Sequence, residues 1–200
     1  MREPADQLLT ELGALPFADF LALQNGAWRS ERTYFHLSPD DPTRQERERS
    51  TTTFQVRPLQ PEGLARVMAD NSYRLDPQLP SPCGFHLGFD TLNEFGETRS
   101  MQLNLLFVTT SDQGQLCRGD YLRDRAYEED RPMVSSFGYV PDRRELTMVS
   151  HYSRVVSVDR ITLLDRRTRI RRILNYARPA TPEAPLLDLR LVGFGLELCA

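Results

Sequence analysis

The chain has no lysine: all 25 of its basic residues are arginine, in a total of 200 residues. Without a lysine amine, Schiff-base chemistry on a lysine side chain is excluded. Each arginine instead carries a permanent charge on a planar fork that suits carboxylates. Codon bias is the simplest cause of this replacement, but the chemical consequence holds whatever the cause.

An excess of positive charge is also absent. The formal net charge is −3 and acidic and basic residues are interspersed, so no basic surface predicts nucleic-acid binding. No apolar run is long enough to cross a bilayer, and the first twelve residues combine acidic groups with only a short apolar run. We therefore expect neither a membrane span nor a secretory leader.

Cysteine and histidine are scarce. The three cysteines are Cys83, Cys117 and Cys199, and the three histidines are His36, His86 and His151. The cysteines show no paired spacing and their number is odd, which favours a reducing, cytoplasmic location over secretion. A zinc site needs a tighter cluster of ligands than these scattered residues provide, so we predict no metal site.

Most of the chain has the composition of strands separated by short turns. The predicted strands lie near residues 27–37, 50–60, 84–91, 99–110, 115–122, 132–140, 144–151, 154–164, 167–177 and 187–198. Short connections favour antiparallel neighbours, and about ten strands in a meander predict a closed up-and-down β-barrel around a cavity. A two-sheet sandwich is the alternative, but it favours longer crossover connections. We expect one all-β domain over residues 1–200.

Two short helices interrupt the strands. One is predicted near residues 16–25, where Phe17, Phe20 and Leu21 repeat at helical spacing. The other is predicted near residues 61–71, and we expect this second helix to close one end of the barrel.

The first predicted strand has an unusual face. Strict alternation places on it Trp28, Ser30, Arg32, Tyr34 and His36. A ring, a hydroxyl, a fixed cation, a phenol and an imidazole do not suit a dry core. They suit the wall of a polar pocket for a flat anionic ligand, although an edge strand with a solvated arginine is an equally supported alternative.

A second unusual strand, near residues 167–177, is rich in arginine. Alternation places Arg169 and Arg171 on one face, and Arg160 lies in the middle of the preceding strand. A buried arginine without a partner is strongly destabilising. We therefore expect an anion beside these three side chains, either an internal carboxylate or a ligand carboxylate. The internal candidates are Asp159 and Glu197, and the arginines best interpreted as solvated are Arg166, Arg167 and Arg172.

Five short segments follow one another with a characteristic order and spacing. They are Gly-Ala-Trp-Arg-Ser-Glu-Arg-Thr-Tyr-Phe-His at 26–36, Ala-Tyr-Glu-Glu at 126–129 with Pro132 after it, Tyr152 followed by Asp-Arg at 159–160, Arg-Thr-Arg-Ile-Arg at 167–171, and Phe-Gly-Leu-Glu at 194–197. Together, over about residues 17–197, they resemble the S-type phycobilin lyases, the CpcS/CpeS-like family. The resemblance implies a calycin/lipocalin-like barrel that attaches an open-chain tetrapyrrole, a bilin, to a phycobiliprotein cysteine in cyanobacteria and red-algal-type plastids.

The reaction that this resemblance implies joins an acceptor thiol to the ethylidene group of a bilin, phycocyanobilin or phycoerythrobilin, and gives a thioether. The acceptor would be a phycobiliprotein alpha or beta subunit, and a homodimer or a heteromer with a second lyase subunit is a further implied assembly. Because the sulfur comes from the acceptor, the lyase needs no nucleophile of its own. We therefore interpret the three cysteines of this chain as structural.

The resemblance also implies roles for the candidate residues. Arginine forks would bind the bilin propionates, aromatic rings would lie against the conjugated system, and a carboxyl group would protonate the bilin or act as its counter-ion. The propionate candidates are Arg32, Arg160, Arg169 and Arg171; the ring candidates are Trp28, Tyr34 and Tyr152; the carboxyl candidates are Glu197 and Asp159; Ser30 and His36 complete the wall, with His36 as a candidate proton relay. Each carboxylate is equally a candidate structural partner of a buried arginine.

Some departures from the family pattern keep other functions open. Thr162, His86 and Leu92 stand where family members tend to carry tryptophan. They support an alternative, a non-catalytic tetrapyrrole carrier or an accessory subunit of a lyase complex on the same barrel. A fatty-acid-type barrel is the third hypothesis, and it predicts an apolar interior that inward-facing Arg169 and Arg171 would contradict.

Overall fold

Ten antiparallel strands close into one barrel in which neighbours in sequence are neighbours in space, and the last strand pairs with the first. The computed structural model describes residues 13–41, 44–124, 129 and 131–200. The strands are β1 (Gly26–Leu37), β2 (Gln45–Pro58), β3 (Cys83–Asn93), β4 (Thr98–Asp112), β5 (Cys117–Arg123), β6 (Ser135–Val140), β7 (Glu145–His151), β8 (Val155–Leu163), β9 (Thr168–Ala177) and β10 (Leu189–Cys199). The predicted up-and-down barrel is confirmed, and the sandwich alternative is wrong.

Two α-helices accompany the barrel, α1 (Phe17–Ala22) and α2 (Pro61–Asp70), and a short 3-10 helix covers Pro141–Arg143. Helix α1 buries Phe17 and Phe20 across one end of the barrel. The Phe17 ring lies 5.0 Å from that of Phe137, and the Phe20 ring lies 4.8 Å from that of Tyr139. This aromatic cluster fills the barrel end nearest α1.

Helix α2 does not close an end, so that prediction is wrong. Its buried Val67 packs with Leu106, Val108 and Leu122 of β4 and β5 in a second apolar cluster. These three residues alternate with the inward-facing residues of their strands, so they lie on the outer wall. An apolar outer wall needs a cover, and α2 provides it.

The inward face of β1 and the inward face of β9 are those that alternation predicts. Trp28 and Ser30 are buried, and Arg32 and Tyr34 are partly buried inside the barrel. Arg169 is buried and Arg171 partly so. Strand β10 lies between β1 and β9 and brings these two faces together.

Candidate functional site

The barrel contains a cavity of about 930 Å³, near the upper limit of ordinary small-molecule sites. It lies in the half of the barrel away from α1. Exposed residues at the ends of β1 and β4 and in the turn between β3 and β4 lie at its opening, and they are His36, Glu97, Thr98 and Arg99.

The two sides of the cavity differ in chemistry. Strands β2, β3 and β4 contribute an apolar wall in the deeper part of the cavity, formed by Phe54, Val56, Phe85, Leu87, Phe89, Met101, Leu103 and Leu105, and polar residues such as Ser50, Thr91 and Asn93 toward the opening. Strands β1, β8 and β9 contribute a polar wall of Arg32, Tyr34, Ser157, Asp159, Arg169, Arg171 and Asn175. Such a cavity suits a flat molecule with an apolar face and anionic substituents.

Glu197 is the centre of a polar cluster just behind the cavity lining, and its side chain is fully buried. Its Oε1 atom accepts hydrogen bonds from Ser30 Oγ at 3.1 Å and from Arg32 Nη2 at 3.3 Å. Its Oε2 atom accepts a bond from Arg169 Nε at 2.6 Å. The register explains the cluster, because Ser30 and Arg169 are the direct partners of Glu197 on the two neighbouring strands.

Arg169 is held in place by Gln24, two residues after the end of helix α1. Its Nη1 atom donates to Gln24 Oε1, and its Cζ atom lies 4.1 Å from the centroid of the Trp28 ring. The Trp28 Nε1 atom donates to the main-chain oxygen of Gln24 at 2.8 Å. Burial lowers the pKa of Arg169 despite the Glu197 carboxylate, but a guanidinium titrates so far above neutral pH that Arg169 stays charged.

Arg171 forms a forked ion pair with Asp159 on the polar wall. Its Nε atom donates to Oδ1 at 2.9 Å and to Oδ2 at 3.1 Å, and its Nη2 atom also donates to Oδ2. Burial would lower the pKa of Arg171, but the Asp159 carboxylate outweighs it and raises this pKa well above its ordinary value. The Nη1 group donates to no described residue and remains available inside the cavity.

The cluster carries an excess of positive charge. Three guanidinium groups, those of Arg32, Arg169 and Arg171, face two carboxylates, those of Asp159 and Glu197. Burial would raise the pKa of Glu197, but these three cations lower it to about 2. Glu197 is therefore a carboxylate at neutral pH, which supports the interpretation as an internal partner of arginines and disfavours a role as proton donor.

Two glycines of β10 make room for these side chains. A methyl group on Gly195 would lie 3.1 Å from Ser30 Oγ and 3.3 Å from Arg32 Cγ. One on Gly193 would lie 2.7 Å from the ring of Tyr34. The side chains of Arg32 and Tyr34 thus lie directly over the bare backbone of β10.

Two predicted wall residues, Trp28 and Ser30, do not line the cavity, and that prediction is wrong for both. Trp28 is 2% exposed and lies deeper, stacked on Phe54 at 6.4 Å and capped by Arg169. Ser30 is fully buried between Arg32 and Glu197. Both residues face inward as alternation predicts, but the side chains above them separate them from the cavity.

Arg160 was expected inside with the other arginines, and this prediction is wrong. It lies exposed on the outer wall, because β8 turns its odd-numbered residues, including Asp159, toward the cavity. The register partner of Arg160 on β9 is Arg172, another outer-wall residue, which donates to Glu145 at 2.9 Å. The apolar neighbours on its face predicted burial, but they lie on the outer wall as well.

The remaining predicted residues lie at the cavity. Tyr34 lines it beside Arg32, and His36 lies at the opening, 3.7 Å from a carboxylate oxygen of Glu48. Tyr152 is buried on the far side, where its hydroxyl accepts a hydrogen bond from Arg123.

Arg123 was missed by sequence reasoning. It is 8% exposed, lines the cavity and lies with its Cζ atom 4.8 Å from the centroid of the Tyr152 ring. The alternation of Tyr121 and Arg123 on β5 is the signal that predicts it. The Ala-Tyr-Glu segment at 126–128 lies outside the described residues.

Within the described ranges, no three histidine, cysteine, aspartate or glutamate side chains form a group that could hold a metal ion. None of the helices described there has the length and apolar character of a membrane span.

A closed antiparallel barrel with a helix across one end and an internal cavity is an up-and-down barrel of the lipocalin type. The chain belongs to the family described as CpeS-like protein, whose model matches residues 16–194. The resemblance predicted from the five sequence segments is therefore confirmed.

Two similar proteins support this assignment. The chain is 49% identical over 172 residues to a protein from Synechococcus sp. (strain JA-3-3Ab) named chromophore lyase CpcS/CpeS 1, and the match covers 86% of this chain and 90% of that relative. The solved structure of the S-type phycobiliprotein lyase CPES from Guillardia theta matches with a TM-score of 0.70. That match covers 99% of this chain and 98% of the other at 13% identity, and it shows the fold.

Proposed function

We propose that this chain binds a bilin in its barrel cavity and promotes thioether attachment of the bilin to a cysteine of a phycobiliprotein subunit. The observation that carries the proposal is the arginine cluster with its excess positive charge, set opposite an apolar wall. The chain is an enzyme of the lyase class, in agreement with its 49% identity to a named chromophore lyase over most of both chains.

In this proposal the arginines bind the two bilin propionates. Arg171 offers its Nη1 group, and Arg32 lies across β10 from it, with Gly195 as their common register partner. Guanidinium–carboxylate bonds are short, charge-assisted and directional, so they fix the position of the bilin as well as attract it. The phenylalanine side chains of the opposite wall would contact the face of the conjugated rings.

Asp159 is the carboxylate proposed as counter-ion of a protonated bilin. It lines the cavity, whereas Glu197 lies behind the lining. A protonated bilin is more electrophilic at its ethylidene group, and a carboxylate beside the pyrrole nitrogens would stabilise that state. Glu197 is then a positioning residue, which holds Arg32 and Arg169 in place.

The cysteines of this chain are proposed to take no covalent part. Burial, with a smaller contribution from Cys117, raises the pKa of the Cys83 thiol to about 11, and burial also raises that of Cys117. Both thiols therefore stay protonated and unreactive at neutral pH. We expect a variant with Cys83, Cys117 and Cys199 all replaced by alanine to transfer bilin to an acceptor at a rate within about threefold of the unmodified protein.

The measurement is the rate of covalent product formation with a purified apo-subunit, alongside bilin binding followed by absorption. Loss of transfer with bilin binding retained would mean that one of these thiols carries a covalent intermediate. The thermal unfolding curve of the variant serves as the control for folding.

The test of the overall function is co-expression with bilin synthesis enzymes and a phycobiliprotein subunit. Separate cultures make phycocyanobilin and phycoerythrobilin, and alpha and beta subunits are supplied one at a time. The lyase predicts colour on the acceptor that survives acid and denaturant, because a thioether is covalent. Colour that remains on this chain and washes off the acceptor would instead favour the carrier or the accessory subunit.

The same proposal includes a partner, a ligand and a cellular location for the protein. Its partner is the acceptor subunit, its ligand is phycocyanobilin or phycoerythrobilin, and its location is the cytosol of a phycobilisome-containing cell. We further propose that residues 1–200 act as one barrel domain, alone or assembled with a second lyase subunit.

A further inference from the structure

Two residues that line the cavity each carry a buried side-chain oxygen without a hydrogen-bond partner among the described residues. These oxygens are the Oδ1 atom of Asn175 and the hydroxyl oxygen of Ser50. A buried polar group without a partner is costly, so native proteins rarely keep one without a reason. The cavity is thus prepared for a ligand that brings hydrogen-bonding groups.

The Ser50 hydroxyl belongs to the carboxylate end of the site. Ser50 is 8% exposed and is the direct register partner of Arg32 across β1 and β2. A hydroxyl beside a guanidinium group complements the same carboxylate that the arginine binds. Asn175 requires a different group, because it lies elsewhere along the barrel.

Asn175 lies four residues from Arg171 along β9, a separation of about 13 Å toward the opening. Its register partner on β8 is Ser157, whose own partner on β7 is Ser150. All three residues line the cavity. They form a band of amide and hydroxyl groups beyond the arginine cluster, which we name the amide band (Ser150, Ser157 and Asn175).

The chemistry of the amide band matches a lactam. A cyclic lactam holds its N–H and its C=O on the same edge, and the primary amide of Asn175 presents an acceptor and a donor on one edge as well. The two edges can form a pair of parallel hydrogen bonds. This pairing satisfies the Oδ1 atom that lacks a partner, and the Ser157 hydroxyl provides a further donor or acceptor.

We propose that the amide band is the subsite for a terminal lactam ring of the bilin, with Asn175 as its hydrogen-bonding residue. The inference rests on the proposed function, because it takes a bilin as the ligand. A bilin carries its propionates on the two central rings and a lactam at each end. With the propionates at the arginine cluster, one terminal lactam therefore reaches the amide band.

The test pairs a variant of the protein with a variant of the ligand. We expect Asn175→Leu, which keeps the branched shape of the side chain and cannot hydrogen-bond, to bind the bilin about tenfold more weakly. A bilin with both terminal lactams O-methylated to lactim ethers lacks the N–H donors. It should bind the unmodified protein about tenfold more weakly than the parent bilin, and Asn175→Leu should no longer distinguish the two ligands. Affinity is measured from the bilin absorption band during titration.

A control variant and the possible outcomes complete the test. Asn175→Gln keeps the amide donor and acceptor and is expected to bind the parent bilin more tightly than Asn175→Leu does. The inference is wrong if Asn175→Leu binds the parent bilin as tightly as the unmodified protein does. It is also wrong if O-methylation weakens binding by the same factor in both proteins, and water then satisfies the amide. If the unmodified protein binds no bilin, it is the proposed function that fails. Should Asn175→Leu not fold, Asn175→Ala replaces it in the same comparison, because alanine cannot hydrogen-bond either.

Discussion

Replacing Glu197 by glutamine should lower the free energy of unfolding by about 3 kcal/mol at neutral pH. The side chain is fully buried and accepts hydrogen bonds from Ser30, Arg32 and Arg169. Glutamine keeps the shape of the side chain, but it leaves the guanidinium groups without their nearest counter-charge. A buried cation that has lost its partner is one of the few causes of so large an effect.

The effect of this substitution should depend on pH in a defined direction. The pKa of Glu197 is about 2 in the folded protein, against 4.5 for an ordinary glutamate. A lowered folded-state pKa stabilises the protein above the ordinary pKa, and that stabilisation is lost as pH falls through the folded-state value. The difference between the two proteins should therefore be full above about pH 5 and shrink between about pH 4.5 and pH 2.

Urea unfolding of both proteins at pH 7, 4 and 3 measures the difference in the free energy of unfolding and its dependence on pH. The matched control is Glu31→Gln on the outer face of β1, where the Glu31 side chain is 74% exposed and pairs with Arg29 at 3.3 Å. We expect this control to change stability by less than about 0.5 kcal/mol. A Glu197→Gln protein as stable as the control would mean that the cluster needs no buried anion.

Replacing Arg171 by alanine should weaken bilin binding by about a hundredfold. The substitution removes the guanidinium group that has an Nη1 atom available in the cavity. It also leaves the Asp159 carboxylate on the cavity wall without its partner. That carboxylate would then repel an incoming propionate, so the loss combines a missing attraction with a new repulsion.

The matched control for this prediction is Arg160→Ala, which removes an exposed arginine from the outer wall. Bilin titration of the control should give the affinity of the unmodified protein. Unchanged affinity in both Arg171→Ala and Arg169→Ala would refute propionate binding by these arginines.

Much of the fold follows from the sequence because strand alternation is a local signal. Alternation groups the residues of β1 and β9 by face, and the short turns predict the antiparallel order of all ten strands. Helix α2 is the exception, since its position depends on the apolar outer residues Leu106, Val108 and Leu122. Only tertiary packing reveals that these residues need a cover.

The candidate site was harder to predict than the fold. Alternation places Trp28, Ser30 and Arg169 inside, but it does not tell which inward residues are covered by others above them. It also does not tell which face of β8 turns inward, so Arg160 and Asp159 were both candidates although they point in opposite directions. Depth within a barrel is a property of the whole closed sheet, and no single strand encodes it.

The closure of one barrel end by helix α1 has a kinetic consequence. Phe20 and Gln24 are almost completely buried at that end. In the proposed function, a bilin would therefore enter and leave by the opposite opening, and the acceptor cysteine would have to reach it through that same opening. Loading of the chromophore would then precede docking of the acceptor, and the order of the two substrates would follow from the shape of the barrel.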